Sequence, residues 1–471
     1  MAGALPAGPV PRLVALHSHA TAARLAAPDD PILRACRAGH PRQTRLPYYP
    51  PPRSKHEKNP SQHQSGRRGL HQHPEFCRRP QLLELARRGQ GLLRRHRQGI
   101  QGDQRRRRQV HPYKNTEYPT VLSAALAAGS GPDIIHTRAY GGLAALADAD
   151  YLLPVNKGNV PNLAAFGDGV MLGAMGRKPP HDKNTYGVPF ATQALGIFYN
   201  KQVLATAGIT AMPRTWDEFK NICKTLKEKK VACIANGGKD TPGLEQMFGV
   251  MGPNFYGGTA FYNAVMAGSK NFNDPAFVKA IEEAVALKDY FPPNQMGVGE
   301  NESRTLFASN MAAFYFTGTW NIDTIKDLNP KADFGIMPAP PLVAGGPVYV
   351  ATFADGNYSI NAKTTKRDAA LKFLNFLASK DYGQKFTQQL KQMSAVPGTT
   401  ATDPILASYG ELAARNSTPF LMLVGFRYQN PNGSVMLRDG IQKVMQGQGT
   451  PASLAAEIQT GLATWHKPFQ K

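Results

Sequence analysis

The chain has 471 residues, 42% of them apolar and 19% charged, enough for two or three average domains or one large two-lobed body. No apolar run approaches the ~18 residues of a membrane-crossing helix, and four cysteines without C-x-x-C spacing make neither a disulfide scaffold nor a structural zinc site. The net charge of +22 suggests a nucleic-acid partner until it is localised: residues 1–112 carry 22 basic and 6 acidic side chains, which leaves a net of only +6 for residues 113–471.

Residues 1–112 are rich in Pro, Arg, Gln and His and hold nine of the twelve histidines. Apart from the patch Leu82–Leu85, no hydrophobic period is sustained. Three readings compete for this basic, irregular segment. It is a tail that touches nucleic acid or anionic lipid through Arg105–Arg108, a solvated tail with no partner, or a stretch translated out of frame. Codon arithmetic favours the third. A one-base shift turns most Arg codons followed by C into Ala, Asp, Gly or Val codons, and Gly99–Pro112 then reads as a helix end, a turn and a strand. His56–Asn59 can become Met-Lys-Lys-Ile, the start of an export signal, whereas none is recognisable at Met1 as written.

From residue 113 the pattern alternates between helix and strand. Tyr118–Ala128 carries Val121, Leu122, Ala125 and Leu126 at helical spacing, and Pro132–Thr137 follows as a short apolar strand. Gly187–Phe190 and Ala194–Tyr199 read as strands. Thr215 and Glu218 spell a capping box for a helix from Trp216 to about Lys229, with Phe219, Ile222 and Leu226 inward, and Val231–Ala235 is the next strand. Asp274-Pro275 opens a helix with Phe277, Ile281 and Val285 inward. Met311–Trp320 is a strand ending in a small-residue turn. Ala369–Leu377 and a helix opened by Thr450-Pro451 complete the series. Such alternation predicts an α/β architecture with mostly parallel sheets.

The chain lacks G-x-x-x-x-G-K-[ST], H-E-x-x-H and G-x-S-x-G. After residue 112 only His136, His181 and His466 remain, too scattered to suggest a triad or metal cluster. Cys223 and Cys233 read as buried apolar groups; an exported protein could join them, although nothing in the spacing demands it. Aromatic and amide residues in turns after strands are more informative. Trp320 after Gly318, Asn357-Tyr358 after Gly356, and Phe426-Arg427-Tyr428 after Gly425 suit a ligand with an apolar C–H face and a rim of hydroxyls. For each aromatic taken alone, core packing is the commoner use.

Five blocks in order carry a resemblance: Tyr118–Ile135, Gly187–Lys201, Pro213–Phe219, Ala312–Trp320 and Ala369–Leu374. Together they resemble the extracellular solute-binding proteins of ABC sugar importers, the maltose-binding-protein-like group (family 1), over about residues 113–471. The resemblance implies a two-lobed periplasmic-binding-protein-like α/β fold with a central cleft and hinge crossovers. Lobe 1 would take residues 113–193 and 356–395, and lobe 2 residues 194–355 and 396–471. It implies a non-enzymatic protein without cofactor or metal. Such a protein binds a di- or oligosaccharide and hands it to permease subunits as a monomer in the periplasm or outside the cell. It would bind no nucleic acid and meet the membrane only through the permease. By position in the family's pattern, Arg138, Tyr140, Gln193, Glu245, Trp320, Asp355, Asn357, Phe426, Arg427 and Tyr428 are the expected ligand-binding residues. Trp320 is the foremost, its ring expected to contribute ~1–3 kcal/mol. The opening strand of lobe 1 is missing from this pattern, which would leave its first sheet with an open edge and make lobe 2 the better folded. Two rival readings remain: a glycosidase using Glu245 and Asp355, and a nucleic-acid-binding protein using Arg105–Arg108.

Overall fold

The structure is a computed structural model and describes Leu13–Val14, Tyr113 and residues 117–470. Arg105–Arg108 and the rest of the basic segment fall outside the described residues. Among the described residues no helix is long and apolar enough to cross a membrane.

Two sheets organise the molecule. The first has the order β1-β2-β9-β3, formed by Leu13–Val14, Ile134–Arg138, Gly356–Ile360 and Val188–Pro189. The second has the order β10-β8-β4-β6-β5, formed by Ser417–Pro419, Val350–Ala354, Thr192–Asn200, Ala312–Gly318 and Ala232–Ile234, with β7 (Phe334–Met337) also on β4. The expected open edge beside β2 is covered over two residues, because Leu13–Val14 runs parallel to Ile134–Ile135.

The sheets are not mostly parallel. The pairs β1–β2, β10–β8 and β5–β6 are parallel, whereas β2–β9, β3–β9 and all three pairings of β4 are antiparallel. Helix-linked alternation gives parallel neighbours only where the helix returns the chain to the same sheet. Here several strands enter a sheet from the other lobe, and they run the opposite way.

In α1 (Tyr118–Ala127) the buried stripe is Tyr118, Leu122 and Leu126, spaced i, i+4, i+8, while Val121 turns to solvent against the sequence expectation. A second short helix, α2 (Gly141–Ala147), follows β2. α3 (Trp216–Glu228) lays Trp216, Phe219, Cys223 and Leu226 on the second sheet, and Phe219 meets Phe314 at 5.0 Å between ring centroids. Its capping box is half formed. Glu218 N–H donates to Thr215 Oγ1 at 3.2 Å, but the Glu218 carboxylate accepts from Arg214 N–H at 2.7 Å. Asp274 caps the helix Pro275–Ala286 as read from the sequence.

Cys223 and Cys233 are joined in a disulfide, which corrects their reading as separate buried thiols. The inner face of α3 lies directly over β5, so the two side chains meet across that packing.

The chain passes between the sheets at three adjacent places. Phe190–Ala191 separates β3 from β4, and Asp355 alone separates β8 from β9. The third pass, near Met393–Ala395, is held beside the first: Thr192 N–H donates to Met393 O and Ala395 N–H to Phe190 O, both at 3.0 Å.

Candidate interlobe binding site

A cavity of about 500 Å³ opens between the two halves of the molecule. Tyr140, Val170 and Leu172 line it from the first lobe, Tyr262, Thr319 and Val424 from the second. Gln193 and Phe353, on strands that feed the crossovers, also line it. The lining is aromatic and aliphatic, with neutral hydroxyl and amide groups set into it, and no Asp or Glu is among its described residues. Such a surface suits an uncharged guest with apolar faces and hydroxyl groups.

Tyr140 sits at the turn between β2 and α2 with φ of 56°, a conformation that costs of order 1–3 kcal/mol in a non-glycine residue. Three hydrogen bonds hold it. Its N–H donates to Gly173 O at 3.0 Å, its carbonyl accepts from Ala144 N–H at 2.8 Å, and its Oη accepts from Ala354 N–H at 3.0 Å. The phenol therefore links the first lobe to the end of β8. Burial pushes the phenols of Tyr140, Tyr262 and Tyr428 above their ordinary range, so all three stay neutral.

Gln193 is fully buried and saturated. Its Nε2 donates to Asp355 Oδ2 at 3.1 Å and to Gln392 Oε1 at 2.9 Å, and its Oε1 accepts from Thr319 Oγ1 at 2.9 Å. Asp355 also faces Arg138 Nη1 at 3.6 Å. Arg138, Gln193 and Asp355, read from the sequence as three ligand contacts, form one network across the crossovers, and of the three Gln193 lines the cavity.

Several expected site residues lie elsewhere. Phe426 is buried in the second lobe's aromatic core, stacked on Phe469 at 6.2 Å and edge-on to Phe272 at 5.0 Å, because the turn after Gly425 points inward. Asn357 is buried in β9, and its Nδ2 donates to Gly173 O at 3.0 Å. Glu245 is buried on α4 (Thr241–Tyr256) and is not part of the cavity wall, since that position is helix rather than loop. The pair Glu245 and Asp355 is therefore not brought to the cavity as a hydrolytic couple would be.

Trp320 is half-buried and lies outside the cavity wall. Its ring folds back over Gly318, where a Cβ would come within 1.9 Å of it, and meets Phe353 edge-on at 6.1 Å. Phe353 itself does line the cavity. Arg427 and Tyr428 sit where the second lobe touches the first. The three histidines stay apart: His136 packs on Phe190, His181 bonds Tyr186, and His466 faces Val265.

Sequence reasoning passed over Tyr262, Thr319 and Phe353. Thr319 is the neighbour of Trp320, and Phe353 lies two positions before Asp355. Tyr262 follows the Gly257-Gly258 pair, both with positive φ, which turns the chain from one helix into the next and sets the ring against the cavity.

The sequence profile described as "Bacterial extracellular solute-binding protein" matches residues 109–384, more than half of the chain. The maltodextrin-binding protein MdxE of Bacillus subtilis (strain 168) is 28% identical over 287 residues, 58% of this chain and 62% of that protein. The multiple sugar-binding protein of Streptococcus mutans serotype c is 25% identical over 211 residues, 44% of this chain and 50% of its own length. The chain thus spans about half to three fifths of the curated relatives it matches. Among solved structures, a chitin oligosaccharide binding protein superposes with a TM-score of 0.67 at 22% identity, covering 80% of this chain and 94% of that one. RafE in complex with raffinose superposes with a TM-score of 0.62 at 19% identity, covering 81% and 96%. These likenesses establish a shared two-lobed fold.

Proposed function

Since this chain belongs to the bacterial extracellular solute-binding proteins, we propose that it captures a carbohydrate, a di- or oligosaccharide, between its lobes and delivers it unchanged to an ABC-type importer. The observation that carries this reading is the neutral, aromatic cavity between the two sheets, where the half-buried Tyr262 and Phe353 offer ring surface. Relatives named for maltodextrin and multiple-sugar binding, and a neighbour described in complex with raffinose, support the ligand class.

Capture works by hinge closure. The ligand bridges both lobes and shifts the open–closed equilibrium by its preference for the closed form, with the crossovers absorbing the rotation. The closed form then docks on permease subunits. The protein works as a monomer without nucleic acid and meets the membrane only through the permease. It works in the periplasm or outside the cell, a location that the Cys223–Cys233 disulfide supports, since such bonds persist in oxidising compartments.

A thermal-shift screen of sugars on the full chain tests the proposal. Stabilisation by at least one uncharged oligosaccharide is expected; indifference to every sugar, with stabilisation by a charged solute instead, would overturn it.

A further inference from the structure

A second set of contacts between the lobes lies beside the cavity and does not belong to its wall. Gly141, the first residue of α2, presses on the backbone of the second lobe: a Cβ built there would stand 2.0 Å from Arg427 O and 3.0 Å from Tyr428 Cα. At the other end of the same helix, Asp148 Oδ1 accepts from Arg177 N–H and Lys178 N–H, both at 3.2 Å. That anchors the loop from which the Arg177 guanidinium reaches across to the Tyr428 ring, with 3.9 Å between Cζ and the ring centroid. One short helix thus delivers two contacts to one dipeptide of the opposite lobe. Neither contact involves the network of Arg138, Gln193 and Asp355.

We infer that Arg177 and Tyr428 form a latch that favours the lobe arrangement seen here, with the two halves in contact beside the cavity, before any ligand arrives, and that this is the arrangement that captures ligand, so that the latch sets the apparent affinity without touching the ligand. The physical basis is direct. A guanidinium over a phenol face is attracted by the ring quadrupole, and the planar group stacks where an ammonium would not. Absence of a side chain at Gly141 lets the two backbones approach closely enough for the ring to come under the cation. A protein whose competent state is populated only in part binds with an affinity reduced by that fraction, so a contact that raises the closed population tightens every ligand by the same factor. The inference rests on the proposed capture by closure, but the latch itself can be read without a ligand.

The experiment uses the full chain and two readouts. The first is the distance between a spin label on each lobe, measured without sugar. The second is the calorimetric Kd for whichever of maltotriose, raffinose or a chitin oligosaccharide binds. Arg177→Met keeps the stem and removes the cation. It is expected to lengthen the ligand-free interlobe distance and raise Kd by about two- to fivefold, the range of one exposed cation–π contact. Tyr428→Leu should do the same, Tyr428→Phe, which keeps the ring face but loses the hydroxyl beside Arg177, should have a smaller effect than Tyr428→Leu on both, and the Arg177→Met/Tyr428→Leu double variant should add nothing to either single. An unchanged distance in Arg177→Met, or additive effects in the double variant, would overturn the latch. Failure of every sugar to bind, with the distance still responding, would instead overturn the carbohydrate reading and leave the latch standing.

Discussion

Gln193, at the start of β4 just past the first crossover, and Asp355, the second crossover, are bonded side chain to side chain, the amide donating to the carboxylate at 3.1 Å. Through the same amide the third crossover joins at Gln392, and the second lobe at Thr319. The hinge is thus a polar cluster with each described partner satisfied, buried where backbone segments from both lobes run side by side. Replacing Gln193 by Ala leaves the buried Gln392 and Thr319 and the half-buried Asp355 each short of a partner, and a loss of about 1–3 kcal/mol is expected in urea unfolding. Gln193→Glu puts a second carboxylate against Asp355 and should cost at least as much at neutral pH.

Phe353 and Trp320 can be ranked. Phe353 lines the cavity, while Trp320 is outside its wall, edge-on to Phe353 and folded over Gly318. Phe353→Ala should weaken carbohydrate binding by ~1–3 kcal/mol in calorimetry, and Trp320→Ala by less. The opposite ranking would mean that the Trp320 ring swings into the cavity when ligand binds.

Gly318→Ala tests the same corner from below. The added methyl would collide with the Trp320 ring, so either the ring or the end of β6 must move. A loss of about 1–3 kcal/mol and a changed Trp emission spectrum are expected, as for other overpacked sites.

Asp403 provides an acid-sensitive contact within the second lobe. It caps the helix Pro404–Arg415 by accepting from Ile405 and Leu406 N–H and pairs with Lys326. Burial opposes its ionisation, but Lys326 and the two N–H groups outweigh burial and hold its pKa below the ordinary carboxylate value. A depressed carboxylate contributes stability above its unfolded pKa and loses it as pH falls through the folded value. Asp403→Asn should therefore lower Tm at pH 7, with the gap to the parent chain closing as the pH falls below about 4.

Much of the fold is legible in the sequence because local signals there agree with the tertiary outcome. The Thr215, Asp274 and Thr450 caps all form, and the Phe219–Leu226 stripe lies on the sheet as its spacing requires. Strand direction was not legible. It depends on which lobe the chain has just left, and no local period records that. The site was legible as a region but not residue by residue. An aromatic beside a glycine reads as a turn after a strand, and the element before it decides: Tyr140 follows β2 and borders the cavity, whereas Phe426 follows the short helix Leu421–Gly425 and packs inward. The disulfide was hidden for a related reason, since ten residues of separation say nothing about helix α3 lying over β5.

The central claim is that a carbohydrate lies between the lobes against Tyr262 and Phe353. Calorimetric titration of the full chain with maltotriose, raffinose and a chitin oligosaccharide, repeated on Tyr262→Ala and Phe353→Ala, tests it most directly. Saturable one-to-one binding of at least one sugar is expected, weakened at least tenfold by each substitution, or about 1.4 kcal/mol. Binding that neither substitution changes, in variants that melt like the parent, would contradict it.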